Sequence, residues 1–357
     1  MSEVSREILL EPLHCAAAWR GAEQAHRQDW VYRLSSAEVA DLDRCVDAAA
    51  GCGRPLHELG LEDFAFDAMG GAIAEWMREL ERGRGFVLAR GVPVDRYTAE
   101  QARIAYWGIG LHMGTAVSQN AAGDLLGEVR DTGADPSDPS VRLYKTRELL
   151  GFHCDGADVI GLLCLRTARS GGQSRIASSV SVYNELLQRR PDLVPELYEN
   201  FHWDRNEEQA PGEAPYFDLP ICHFDGERLR TFYIGWYIRG AQRHAEAPRL
   251  TTAQNEVIDL IDEICEEPEF HLAMDFEPGD IQWLKNSVIL HARTAYEDEV
   301  EPERRRHLLR LWLTAHGRWA DGDEFLRQGI PRKDGVESDA DAIDRSIRGR
   351  STTGETG

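Results

Sequence analysis

The stretch GFHCDGADVIGLLCLRTA, residues 151–168, decides how this chain is read. Its second half, DVIGLLCLRTA (158–168), is nearly continuously apolar, the pattern of a strand buried on both faces. Its first half places His153 and Asp155 two positions apart. Side chains at i and i+2 of an extended segment leave on the same face. The two could therefore hold one edge of a metal ion, while Cys154 between them would point the other way. His-x-Asp is a common coincidence on its own. Its meaning depends on whether a third ligand and an anchor for a cosubstrate occur further along.

Both candidates are present. The segment FEPGDIQWLKNSVILHARTAYED (276–298) carries His291 at the end of a short apolar run. In RRHLLRLWL (305–313), Arg306, Leu308, Arg310 and Trp312 share one face of a strand, and His307, Leu309, Leu311 and Leu313 share the other. Two arginines on one face of an apolar strand are costly to bury unless an anion meets them. Two imidazoles and one carboxylate form the facial triad of non-haem Fe(II) oxygenases, whose open positions take a cosubstrate and O2. An arginine fixing the far carboxylate of a chelating 2-oxo acid would account for Arg306, because the bidentate, charge-assisted pair suits that task.

Around this constellation the chain reads as a helical first part, 1–114, followed by a β-rich core, 115–331, with inserted helices. RLSSAEVADLDRCVDAAAG (33–51), DAMGGAIAEWMRELERGRG (67–85) and TAEQARIAYWGIGLHMG (98–114) have the apolar spacing of helices, with Ser35 or Ser36 and Thr98 as caps. GFVLARGVPVD (85–95) reads as a short strand. Past residue 115, short apolar runs alternate with Gly- and Pro-containing turns, as in a sandwich or barrel. VSVYNELLQRRPDLVPELYEN (180–200) reads as helix broken at Pro191, and LTTAQNEVIDLIDEICEEP (250–268) as a capped amphipathic helix. The order predicts one domain over 1–331, with a polar tail, 332–357, expected to be disordered.

Composition narrows the function classes. The 357 residues include 40 Lys and Arg against 62 Asp and Glu, a net charge of −22. Such a surface repels nucleic-acid phosphate and anionic lipid, and neither is expected as a partner. The sequence holds no apolar run of membrane-spanning length and no signal-peptide core at its start. Its seven cysteines are scattered and odd in number, which predicts free thiols and a cytoplasmic location. A homodimer is the default expectation for assembly.

With FHCD and its following DVIGLLCL strand, SGGQS (170–174), the PGD turn (278–280), NSVILHART (286–294) and RRHLLRLWL, the chain resembles the TauD/TfdA-type Fe(II)- and 2-oxoglutarate-dependent dioxygenases, the group of taurine dioxygenase and γ-butyrobetaine hydroxylase. The resemblance implies an α+β fold with a mainly β core, a double-stranded β-helix of cupin-like jelly-roll type. It implies His153, Asp155 and His291 as Fe(II) ligands and Arg306 on the C5 carboxylate of 2-oxoglutarate. Ser174 stands where the family usually has a threonine that helps bind that carboxylate. Arg310 stands where a family arginine meets the substrate anion, and a role in supporting the cosubstrate is equally open. The implied reaction consumes O2, converts 2-oxoglutarate to succinate and CO2, and oxidises, chiefly by hydroxylation, an unactivated C–H bond of a small molecule such as an amino-acid derivative or specialised metabolite. Desaturation, epoxidation and ring formation would use the same site.

Other positions invite a role in substrate binding. Ser118, Gln119 and Asn120 lie in a polar, Gly-containing stretch ahead of the first ligand, and Tyr144 follows. Trp203 and Arg205, in FHWDRNEE (201–208), could line the mouth. Against the oxygenase reading stand a zinc hydrolase built on the two histidines and the aspartate, which has no use for Arg306, and a non-catalytic binding protein on the same fold.

Overall fold

The computed structural model describes residues 7–135, 138, 141–209, 212–315 and 329–330. The anticipated tail lies outside them. Two sheets face one another. The larger has seven strands, in the order Val31–Arg33, Phe86–Arg90, Ile281–Lys285, Val159–Arg166, His307–Ala315 and Gly114–Ala116, with Leu126–Val129 also pairing to His307–Ala315. The smaller has four, in the order His271–Met274, Ser174–Ser178, Ile289–Arg293 and Leu150–His153. Together they form the double-stranded β-helix, a cupin-like fold.

The apolar run at 158–168 becomes the strand Val159–Arg166, held between Ile281–Lys285 and His307–Ala315 and buried along most of its length. Both of its faces are covered, Val159 and Leu163 by the outer core and Ile160 by the space between the sheets, which is why alternation is absent from its sequence. Alternation is plain in its neighbour. Leu309, Leu311 and Leu313 face outward into a core shared with Trp76, Tyr106 and Trp107 of the N-terminal helices. Trp312, one position out of phase, faces the space between the sheets with Ile160, Ile176 and Ile289.

The helices start where their caps are. Ser35 accepts from Glu38 N–H while Glu38 accepts from Ser35 N–H, opening Ser36–Gly51. Thr98 and Gln101 do the same for Ala99–Met113, and Thr251 and Gln254 for Thr252–Glu266. The break expected at Pro191 is present: Ser179–Arg189 is an α-helix, and Pro191–Tyr198 continues as a 3-10 segment.

The N-terminal part is mostly helical; the strand expected within 85–95 is Phe86–Arg90, and Val31–Arg33 is a further one. Its strands Val31–Arg33 and Phe86–Arg90 pair in parallel, and the second continues antiparallel onto Ile281–Lys285. The first 114 residues therefore build one edge of the larger sheet as well as covering its outer face. Three residues are too few to show a period of two, so Val31–Arg33 left no trace in the sequence pattern.

On the smaller sheet the same alternation positions the site. Phe152, Ala177, Leu290 and Ala292 turn outward against helices Ser179–Arg189 and Thr252–Glu266. Ile289, His291 and Arg293 therefore share the inner face, running from apolar to metal-competent to cationic along one strand. The SGGQS turn feeds this sheet. Gly171 and Gly172 both have positive φ, at 72° and 71°, and a Cβ on Gly171 would fall 2.2 Å from the Ala295 carbonyl oxygen. Only glycine fits there, and the turn delivers Ser174 to the start of its strand.

Candidate metal centre

Strand pairing brings distant ligands together. His291 is registered directly opposite His153, and Asp155 follows two residues beyond that strand's end. One donor atom from each of His153, Asp155 and His291 lies within 4.8 Å of the others. The ring centroids of the histidines are 4.1 Å apart. Asp155 Oδ1 is 3.9 Å from His153 Nε2, and its Oδ2 is 3.6 Å from His291 Nε2. All three residues are buried, and among the described residues they are the one such cluster. Cys154 turns away, its thiol directed at the carbonyls of Thr231 and Asn286, and burial pushes it up to about 12.

The protonation pattern suits a metal. His153 Nδ1 lies 2.9 Å from the Gly151 carbonyl, which can only accept, so that nitrogen carries the proton and Nε2 presents a lone pair to the centre. Burial, then the neighbouring His291, lowers His153 to about 3, which keeps it neutral. Burial alone would raise Asp155, but Arg310 and the two histidines hold its carboxyl well below the usual range. The Nε2 lone pair of neutral His153, the Nε2 of His291 and an ionised carboxylate converge on one point, a donor set that suits a divalent cation.

Asp155 is held from several sides. Arg310 Nη1 approaches Oδ2 at 3.2 Å and Oδ1 at 3.4 Å, and Trp312 Nε1 donates to Oδ2 at 2.9 Å. Arg310 is itself fixed by Nε donating to Gln119 Oε1 at 2.8 Å, and its guanidinium lies 4.5 Å from the Tyr144 ring centre. The backbone of Asp155 is clamped by Asn286, which accepts from its N–H at 2.9 Å and donates to its carbonyl at 2.5 Å. Asn286 is fully buried. Asn286→Ala leaves two buried backbone groups unpaired and is expected to cost about 1–3 kcal/mol for each, read by denaturant unfolding. A loss below 1 kcal/mol would mean that the backbone at Asp155 finds other partners.

Two cavities meet at the triad. The larger, about 490 Å³, is lined by His153, Asp155, Trp236, Arg142, Arg205 and Arg243, among others. The smaller, about 40 Å³, is lined by His153, His291, Ser174, Arg293, Arg306 and Arg310, with apolar walls. Tyr144 and Arg310 border both.

The family model of the taurine catabolism dioxygenase TauD, TfdA family matches residues 53–312. The chain belongs to this family of dioxygenases. It is 33% identical over 314 residues to the FR-33289 synthase of Streptomyces rubellomurinus, spanning 86% of this chain and 91% of that one. It is 30% identical to a taurine hydroxylase-like protein of Stachybotrys chartarum, over 88% and 84% of the two chains. The fold matches that of asparagine oxygenase in complex with Fe(II), 3-hydroxyasparagine and succinate, with a TM-score of 0.63 at 17% identity over 80% of this chain and 94% of that one. The oxygenase OrfP with Fe and α-ketoglutaric acid gives 0.60 at 14% identity, with the same coverage. As a family member the protein is an Fe(II)- and 2-oxoglutarate-dependent oxygenase, which sets aside the zinc hydrolase and the non-catalytic readings.

The dioxygenase has the donors for both groups: the His-Asp-His cluster suits Fe(II), and the narrow cavity runs from His291 to Arg306, whose Nη1 is buried without a hydrogen-bond partner among the described residues. Ser174 also lines this cavity, its hydroxyl paired with Gln282 at 3.1–3.2 Å. Of the other sequence candidates, Gln119 is buried behind Arg310 rather than at a cavity wall. Ser118 and Asn120 sit in a turn: Ser118 Oγ donates to the Asn120 carbonyl, and the Asn120 amide bonds Ala122 and Asp124. Neither lines the larger cavity. Arg205 does, whereas Trp203 is buried in the core beneath it. Sequence reasoning missed Asn286, Trp312 as a partner of Asp155, and Arg142, Arg243 and Arg293. For Arg293 a signal existed, since His291 and Arg293 are spaced to share a strand face.

Proposed function

We propose that His153, Asp155 and His291 hold the iron of this dioxygenase, that Arg306 and Ser174 receive the distal carboxylate of 2-oxoglutarate, and that the larger cavity takes a small, polar metabolite of amino-acid type whose C–H bond is hydroxylated. The observation that carries this reading is the meeting of the two cavities at the triad. The narrow one ends on Arg306, whose Nη1 has no hydrogen-bond partner among the described residues, and the wide one is roomy and lined by both rings and charges.

When bound, the iron supplies oxygen activation coupled to decarboxylation of the 2-oxo acid. The chain's own residues position and shield. Arg310 and Trp312 fix the carboxylate of Asp155, and Gly151 fixes the ring of His153. Trp236, 5.0 Å from the His153 ring, and Tyr144 wall the centre from water. Around the larger cavity Arg142 pairs with Glu208, and Arg243 pairs with Asp204 at 2.9 Å. Its walls thus offer both cationic and anionic groups, which suits a ligand carrying both signs. The volume lies within the usual range of small-molecule sites, about 300–1,000 Å³. Asparagine oxygenase and OrfP are seen with 3-hydroxyasparagine and hydroxyarginine, and a uridine-5'-phosphate dioxygenase of Amycolatopsis is 27% identical over 52% of this chain. The amino-acid class fits the mixed charges better than a phosphate ester does. Gln119 through Arg310 contribute to the one site, and the N-terminal strands close the same sheet, which supports a single catalytic domain.

The test is anaerobic titration of metal-stripped protein with Fe(II) and then 2-oxoglutarate, followed in air by succinate release in the presence of free amino acids and their derivatives. The visible charge-transfer band of the chelate should appear, and one substrate class should raise succinate release. Absence of the band from folded, iron-loaded protein would sink the cosubstrate assignment. A band without stimulation by any amino acid or derivative would sink the substrate class alone.

A further inference from the structure

We infer that Arg293 is a second anchor for the distal carboxylate of the 2-oxo acid, so that the cosubstrate pocket grips a short dicarboxylate between two guanidinium groups. This rests on the proposed cosubstrate site and deepens it.

Arg293 lies two residues beyond His291 on the strand Ile289–Arg293, on the same inner face. Its registered neighbour on the adjoining strand is Ser174. Directly paired residues bring their Cβ atoms to about 4.5–5.5 Å, so Arg293 and Ser174 form one wall of the narrow cavity, and Arg306 from the facing sheet completes it. The two arginines lie against one ring: their guanidinium carbons are 4.8 Å and 5.1 Å from the centre of Tyr296.

Both arginines are 5% exposed. Arg293 donates through Nη2 to the Glu148 carbonyl, but its Nε and Nη1 have no partner among the described residues, nor has Nη1 of Arg306. Neither forms an ion pair with a carboxylate of those residues, whereas Arg310 nearby pairs with Asp155. Burying one cation without a counter-charge is costly, and burying two side by side is more so. Three free donors on two cations, at the far end of a cavity whose near end is the iron triad, match a carboxylate one short chain away from the chelating end. A 2-oxo dicarboxylic acid has that form. A 2-oxo monocarboxylic acid reaches the triad but leaves both guanidinium groups unmet.

The experiment compares the wild-type protein with Arg293→Met and Arg293→Lys, each loaded with Fe(II) without oxygen and titrated with 2-oxoglutarate or with 2-oxobutyrate, which lacks the second carboxylate. The charge-transfer band reports binding without turnover. Arg293→Met should weaken 2-oxoglutarate by about 10- to 100-fold, the loss expected for hydrogen bonds to a charged group, and leave 2-oxobutyrate within about twofold. Arg293→Lys, which keeps the charge but not the fork, should fall between, and it carries the test if the methionine variant does not fold. A residue that only braced the Glu148 segment would weaken both acids alike, and that result overturns the inference, as does unchanged 2-oxoglutarate affinity in the variants. If the wild-type protein itself shows no band, the cosubstrate site fails first and the anchor with it.

Discussion

Asp155→Asn is expected to lower iron affinity by more than about 100-fold and to remove succinate formation. Partners one shell beyond a metal already cost about 10–100-fold when lost, and Asp155 is placed as the anionic ligand itself. The change is nearly isosteric, so its effect is one of charge. It also strips Arg310 of its only ion pair among the described residues, at 3.2 Å, inside a site where both residues are buried. Breaking a buried pair from one side costs about 3–5 kcal/mol. The variant should therefore lose stability before any metal is added, and Fe(II) should restore little of it. Equilibrium dialysis for iron and denaturant unfolding of the stripped protein measure the two effects separately. Iron affinity within tenfold of wild type would remove Asp155 from the ligand set.

What could be read in the sequence follows from how local each constraint is. His153 and Asp155 show themselves because a metal edge on a strand needs a spacing of two, and Arg306 and Arg310 because charges on an apolar strand face violate the pattern around them. The fold follows from the nearly continuous apolar run in 158–168 and the Gly-Gly turn after it, and from the family resemblance these pieces carry. Asn286 clamps Asp155 across 131 positions of chain, and Arg293 reaches Ser174 through a register that no local pattern encodes. Arg142 and Arg243 are ordinary surface-type residues in sequence. They line one cavity because the hairpin of Asn200–Asp204 and Tyr216–Pro220 and the helix Gly235–Ala241 fold over it. Ser118 and Asn120 looked like pocket residues because polar loops often are. Their side chains instead build the turn that presents Gln119 to Arg310.

Arg310→Met separates two roles that sequence leaves open for this residue, contact with an external anion and support of Asp155. In the stripped protein Asp155 would keep the Trp312 bond at 2.9 Å but lose its cation, and Gln119 Oε1 would lose its donor. The expected cost is about 3–5 kcal/mol. A bound divalent cation faces the same carboxylate, so it replaces the missing charge. Metal should then stabilise the variant more than the wild-type protein, and the cost measured with saturating Fe(II) or Mn(II) should shrink by at least about 1 kcal/mol, roughly five- to tenfold tighter metal binding by linkage. Arg310 would in that case be a positioning residue that holds the empty carboxylate in place at the expense of metal affinity. Unfolding curves with and without metal, for both proteins, supply the four free energies of the cycle. Equal losses in the two conditions would show that Arg310 acts by packing against Tyr144 and Trp312 rather than by charge. If metal affinity is unchanged while 2-oxoglutarate or substrate binding collapses, the residue belongs to the external anion, and the wall between the two cavities must be redrawn around it.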